Sequence, residues 1–152
     1  MKRYRKPLLL FHIIGSVGLL GATSSSLLLA IVAASTDDGE LAHSAYELIS
    51  MQSAVFGIPL SFISLLSGLA LGPASKWGVL RYRWTAIKLC LLVGVILNGA
   101  LMIGPTTAAR IDGDGSATTL IGAAAASVLM LALSVALSVY KPGGRLRRAA
   151  RA

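Results

Sequence analysis

Two ionisable side chains, His12 and Lys88, lie inside long apolar stretches of this chain. They are the residues best placed to do chemistry. His12 stands five residues beyond Pro7, and Lys88 five beyond Arg83, each just behind a group of basic residues. If both stretches are helices entering a bilayer from the same side, both side chains sit roughly 8 Å below one boundary, from the ~1.5 Å rise per residue. Matching depth lets them face one pocket between helices, where bundles hold cofactors. Each has two readings. His12 is either a hydrogen-bonded contact between helices or an axial ligand of haem b, for which neutral imidazole is the commonest protein donor. Lys88 either snorkels to the headgroups or joins Arg81, Arg83 and Lys76 in receiving the anionic propionates. A lysine at mid-helix costs about 2.5–3.5 kcal/mol, and less near an end. No second axial ligand is evident. Met51 and Met102 lie near the far boundary and Met130 near the middle of the fourth stretch, so the iron would be five-coordinate or take Lys88.

Other residue types narrow the field. No Asp, Glu or Arg falls inside the apolar stretches, which argues against a proton-coupled transporter, since such pumps carry a membrane-embedded acid. His43 lies among Asp37, Asp38, Glu40 and Glu47 and reads as part of a solvated loop, although this set could hold a divalent cation weakly. Asp112-Gly113-Asp114-Gly115-Ser116 begins like a calcium loop but lacks its closing acid, so it reads as a turn. The single cysteine, Cys90, permits neither a disulfide framework nor a cysteine metal site within one chain.

These residues need four elements to position them. The apolar stretches cover about 7–34, 51–71, 84–104 and 118–140, each long enough for a span of about 20 residues. Hydrophobic residues make up 55% of the chain and charged residues 13%, too much apolar surface for a soluble core of 152 residues to hide. The expected fold is an all-α integral membrane four-helix bundle in one domain, up-down-up-down, followed by a basic tail over 141–152. The first stretch far exceeds the ~7–15 residues of a signal-peptide core, so it reads as a retained helix. Pro59 predicts a kink within the second helix. Gly72-Pro73, Gly104-Pro105 and Lys141-Pro142 predict the ends of the second, third and fourth.

The net charge of +8 does not point to nucleic acid, because of where the charges lie. Twelve of the fourteen Lys and Arg flank the stretches on one side, and all six acids lie on the other with Arg110. The positive-inside rule then places both termini in the cytoplasm. Tyr4, Trp77, Tyr82, Trp84 and Tyr140 form an aromatic belt at that boundary. The tail from Arg145 to Arg151 should bind anionic lipid, at about 1 kcal/mol per basic residue.

Small and polar residues recur at helical spacing: His12, Ser16, Thr23 and Ser26; Gly15, Gly18 and Gly21; Gly57, Ser61, Ser64 and Gly68; Gly94, Asn98 and Gly99; Ser127, Ser134 and Ser138. Each set shares one helix face. Such stripes supply the close packing and hydrogen bonds that hold helices together in lipid, or else line a polar pathway. A homo-oligomer or a larger membrane complex is a plausible partner, although no residue demands one.

Three segments carry a family resemblance: Leu10-Phe11-His12-Ile13-Ile14-Gly15; Lys76-Trp77-Gly78 with Arg81, Trp84 and Lys88-Leu89; and Tyr140-Lys141-Pro142-Gly143-Gly144-Arg145. Together they look like the uncharacterised four-helix integral membrane proteins common in actinobacteria. That group is distantly similar to the copper-resistance D membrane domain and to the haem-binding bacterial protoporphyrinogen oxidase. In the oxidase, a histidine early in the first helix and a lysine in a Trp-x-x-x-Lys context of the third are characteristic, and His12 and Trp84-to-Lys88 match them. The resemblance implies a bacterial inner-membrane protein with haem b or a porphyrin near His12 and Lys88. It stops at these two positions, so it does not carry the oxidase reaction. Copper handling is poorly supported, because the two histidines and four methionines are scattered. The alternative function is a non-catalytic membrane subunit or scaffold.

Overall fold

The computed structural model describes residues 5–74 and 82–142. The fold is all-α, with four long apolar rods packed as a bundle. The first rod is α1 (Arg5–Ser35). The second joins α2 (Gly39–Gln52) through a π-helical turn (Ser53–Gly57) to α3 (Ile58–Ala74). The third joins α4 (Arg83–Asn98) through a π-helical turn (Gly99–Ile103) to α5 (Gly104–Ile111). The fourth is α6 (Ala117–Tyr140).

All four rods are long and apolar enough to cross a membrane. Their outer faces expose Leu10, Phe11, Leu28, Phe62, Leu66, Leu101, Leu129 and Val139, which suits a hydrocarbon solvent. Successive rods run antiparallel. Ser16 pairs with Ser64 and Ser25 with Gln52, so the second rod returns along the first. Lys88 pairs with Ser138 and Asn98 with Ser127, so the fourth returns along the third. α1 also packs on α6, and α2 on α5, which closes a four-sided bundle.

Local chemistry fixes the connections. Asp38 caps α2, its carboxylate accepting from the Glu40 and Leu41 amides at 3.0 and 3.2 Å. Gly113 and Gly115 turn the chain between α5 and α6 at φ +88° and +82°, a region glycine enters freely. The calcium-like segment is therefore a turn, and the Ser116 hydroxyl caps α6.

Two helix ends differ from the sequence expectation. The second rod begins at Gly39, twelve residues before Met51. Its first half is amphipathic and buries Ala45, Tyr46 and Ile49, so the polar residues between them hide a helix that continues beyond the apolar stretch. Gly104-Pro105 does not end the third rod, because the π turn absorbs the proline and the helix continues to Ile111.

Two apolar clusters brace the bundle. Leu19, Val95 and Leu131, with Leu20, Leu60, Leu92 and Met130 against them, form a girdle near the middle. Ala30, Ala33, Ala45, Tyr46, Ile49, Ile103, Leu120 and Ala123 close the end remote from Arg5.

Candidate functional site

A cavity of about 520 Å³ occupies the end of the bundle that carries Arg5, and all four rods line it. His12 and Ser16 come from α1, Ser64 and Gly68 from α3, Trp84 and Lys88 from α4, and Ser134 and Ser138 from α6. Leu9, Leu65, Leu92 and Leu131 supply apolar wall. The structure thus brings His12 and Lys88, 76 positions apart in sequence, into one cavity. Among the described residues Arg5, Lys88 and His12 are its ionisable lining groups, and no carboxylate accompanies them.

His12 is held by α3. Its Nδ1 lies 3.0 Å from the Ser64 carbonyl oxygen and 3.1 Å from Ser67 Oγ. A carbonyl only accepts, so Nδ1 carries the hydrogen and donates. The Ser67 hydroxyl hydrogen goes to the Ile63 carbonyl at 2.5 Å, which leaves its oxygen free to accept from the imidazole. Nε2 then keeps its lone pair, with no hydrogen-bond partner among the described residues. Tying one ring nitrogen to a carbonyl is how metal-binding imidazoles are oriented. Gly68 makes the room, since a Cβ there would lie 3.1 Å from His12 Cε1. The neighbouring contacts are equally close. Ser16 and Ser64 hydroxyls pair at 2.9 Å, and a Cβ on Gly15 would lie 3.1 Å from the Ser64 amide nitrogen. The stripes on α1 and α3 are therefore one packed seam that continues into the cavity. Gly21, expected in that seam, meets nothing within 4 Å.

Lys88 turns inward instead of snorkelling. Its Nζ donates to Ser138 Oγ at 2.5 Å, and that hydroxyl donates to the Ser134 carbonyl at 2.9 Å. The serine stripe on α6 thus holds the ammonium at the cavity wall. Arg83 is exposed at the start of α4 and is not part of the lining. Arg81 and Lys76 lie outside the described residues. Arg5, grouped in the sequence only with the other terminal cations, is a lining residue. Met130 packs in the girdle, its Sδ 3.1 Å from where a Cβ on Gly94 would lie, and does not reach this cavity.

A second cavity of about 420 Å³ lies beyond the girdle, lined in part by both π turns. Gln52, which sequence reasoning passed over, stands here. Its Nε2 donates to the Ala22 carbonyl at 2.5 Å and to Ser26 Oγ at 3.0 Å, and its Oε1 accepts from Ser25 Oγ at 3.0 Å. The signal was available, since Gln52 carries the single primary amide of the second apolar stretch. Asn98 does the same between the third and fourth rods, donating to the Ala123 carbonyl at 2.7 Å and to Ser127 Oγ at 2.9 Å. At the remote end His43 and Glu47 pair at 3.5 Å on the surface of α2. Among the described residues no three His, Cys, Asp or Glu side chains come together as a metal cluster.

The arrangement can take up an amphiphile. It offers apolar walls, the Lys88 ammonium held by Ser138, the Arg5 side chain at the lining, and one imidazole nitrogen whose lone pair is uncommitted. A volume near 520 Å³ falls within the range usual for small-molecule and cofactor sites.

No curated protein and no solved structure matches the chain. A family model described as a predicted integral membrane protein (DUF2269) matches residues 7–112 of the 152, a segment that holds both His12 and Lys88. The chain belongs to that family of integral membrane proteins.

Proposed function

We propose that the cavity between α1, α3, α4 and α6 binds haem b or a related porphyrin. The observation that carries this reading is the state of His12: Nδ1–H is fixed by Ser64, and Nε2 is left as a free donor in a cavity with two cations. The residues fit the group. His12 Nε2 would ligate the iron, Lys88 and Arg5 would receive the propionates, and the leucines and Trp84 would face the ring. The bound group would supply one-electron or gas-ligand chemistry. The chain's own contribution is to orient the imidazole through Ser64 and Ser67 and to hold the Lys88 ammonium against Ser138. Among the described lining residues His12 is the one imidazole, and none carries sulfur, so His12 is the residue that would hold the iron. The resemblance of His12 and the Trp84-to-Lys88 spacing to the protoporphyrinogen oxidase pattern supports the same assignment.

The experiment is a visible spectrum, with and without dithionite, of the protein purified in mild detergent from haem-supplied cells. A Soret band that is present in the wild type and lost in His12→Ala is the expected result. Absence of the band from the wild type sinks the proposal and leaves the alternative, a non-catalytic subunit or scaffold. That alternative has its own support in the His12–Ser64 and Ser16–Ser64 contacts, which also serve simply to join helices.

The same reading places the protein in a bacterial plasma membrane with both termini in the cytoplasm. The support is the charge asymmetry, twelve flanking cations on one side against six acids and Arg110 on the other. The cavity then opens toward the cytoplasmic leaflet. The basic tail, outside the described residues, would bind anionic lipid.

A further inference from the structure

The second cavity stands apart from the site at His12, and its walls describe a different occupant. Glycine on a membrane helix usually lets a neighbouring helix approach closely, as Gly15 and Gly68 do in the seam between α1 and α3. Gly57 and Gly99, which line the second cavity from the two π turns, do not. A Cβ on Gly99 would meet nothing within 4 Å, and one on Gly57 would meet only Ser53 Cβ, at 3.8 Å. Here the small residues keep a space open instead of closing a contact. The space of about 420 Å³ lies where the second and third rods flank each other and α3 meets α4 only sparsely.

Its rim faces hydrocarbon. Ile58 and Phe62 on α3 are 57% and 51% exposed, and Ala100 on the third rod is exposed as well. Ile96, also in the lining, stands 13 residues past Arg83. That is roughly 20 Å along the rod at ~1.5 Å per residue, inside a hydrocarbon layer about 30 Å thick. Behind the rim, Leu19, Val95 and Ser127 are buried. The walls ask for little polar company. The Thr23 and Ser61 hydroxyls donate to carbonyls of their own helices, and Ser26 and Ser127 accept from Gln52 and Asn98. Among the described residues the lining carries no charged side chain. A water molecule, which takes about two to four polar partners, is poorly served here, whereas unfilled space forfeits dispersion contacts along every wall. We propose that one acyl chain of a bilayer phospholipid occupies this cavity, entering sideways between α3 and α4. The surface around the rim is lipid-facing, with Phe62, Leu66 and Leu101 turned outward, so the site continues the bilayer interface of an integral membrane protein. With no charge in its lining, the site grips the chain and ignores the headgroup, unlike the cavity at Lys88. The chain fills the gap between the second and third rods and completes their packing, whether or not a porphyrin binds at His12.

The full chain is reconstituted in nanodiscs containing a phosphatidylcholine with a diazirine in its acyl chain, irradiated, and mapped by peptide mass spectrometry. Adducts are expected on Ala22 and Thr23, which line the cavity from α1, as well as on outward-facing Leu129, which samples the surrounding lipid. Making the probe and its host lipid phosphatidylglycerol should leave that pattern unchanged. Gly99→Leu puts a side chain into the open space, and Ala100→Leu narrows the rim. Each should lose the Ala22 and Thr23 adducts and keep those on Leu129, with melting followed by tryptophan fluorescence to show that each variant is folded. Wild-type adducts confined to outward residues such as Leu129 overturn the proposal. Cavity labelling that vanishes with the phosphatidylglycerol probe, or that survives both substitutions, overturns it too.

Discussion

Gly68→Ala tests whether α3 fixes the His12 imidazole. The new Cβ would stand 3.1 Å from His12 Cε1 and 3.5 Å from Nδ1. The ring cannot yield away from Gly68 without stretching the 3.0 Å bond from Nδ1 to the Ser64 carbonyl. Three terms set the outcome. Helix propensity favours alanine by up to about 1 kcal/mol. Overpacking a close contact costs about 1–3 kcal/mol. A weakened interhelical hydrogen bond in a membrane costs about 0.6 kcal/mol, or up to ~1.7. The net is a loss of about 1–2 kcal/mol. Gly21→Ala is the control, because nothing lies within 4 Å of that position and only the propensity gain remains. The two variants should therefore differ by about 2–3 kcal/mol in reversible unfolding from mixed detergent micelles. Imidazole nitrogen NMR should show the Nδ1–H tautomer of His12 in the wild type and in Gly21→Ala, and a weakened Nδ1–H bond in Gly68→Ala. Equal stabilisation by both alanines, with an unchanged imidazole spectrum, would refute the reasoning.

Gln52→Leu removes three hydrogen bonds to α1 and should cost about 1–2 kcal/mol in the same unfolding assay; a neutral result would mean that the serines of α1 re-pair within their own helix. For orientation, single cysteines are introduced after Cys90 is replaced by alanine. Positions 37–47 should label in intact cells and positions 145–151 only after lysis, and the opposite pattern overturns the proposed sidedness.

The chain showed its large features plainly because lipid selects for long apolar stretches, and all four lie within rods. The polar exceptions were equally visible. His12 and Lys88 stand out by being ionisable in apolar surroundings, and helical spacing put Ser64 and Gly68 on one face. What could not be read was how a given side chain would turn. Snorkelling and inward bonding are equally open to a lysine near a helix end, and Ser138, 50 positions away, decides between them. The start of the second rod was missed because Glu40, His43, Ser44 and Glu47 look like a loop until Ala45, Tyr46 and Ile49 are seen to share a buried face.

Pro105 misled in an instructive way, since the helix continues past it. Pro59 and Pro105 each follow a π-helical turn by two residues, those turns being Ser53–Gly57 and Gly99–Ile103. Proline cannot donate to the carbonyl four residues back, and its ring clashes with that carbonyl. A widened turn moves the carbonyl aside. The Ile58 amide reaches the Ser53 oxygen, and the Gly104 amide reaches the Gly99 oxygen, so few backbone groups are left open to hydrocarbon. The two turns belong to neighbouring antiparallel rods, and both line the second cavity. That cavity makes little demand for a polar occupant. The Thr23 and Ser61 hydroxyls donate to carbonyls of their own helices, Ser26 and Ser127 accept from Gln52 and Asn98, and Gln52 is fully bonded to α1. The first cavity differs at this point. Its cations have no carboxylate beside them, and one imidazole nitrogen keeps its lone pair. Of these two voids of similar size, among the described residues only the one at His12 presents chemistry still to be satisfied, and for that reason the proposed function is placed there and not in the space between the prolines.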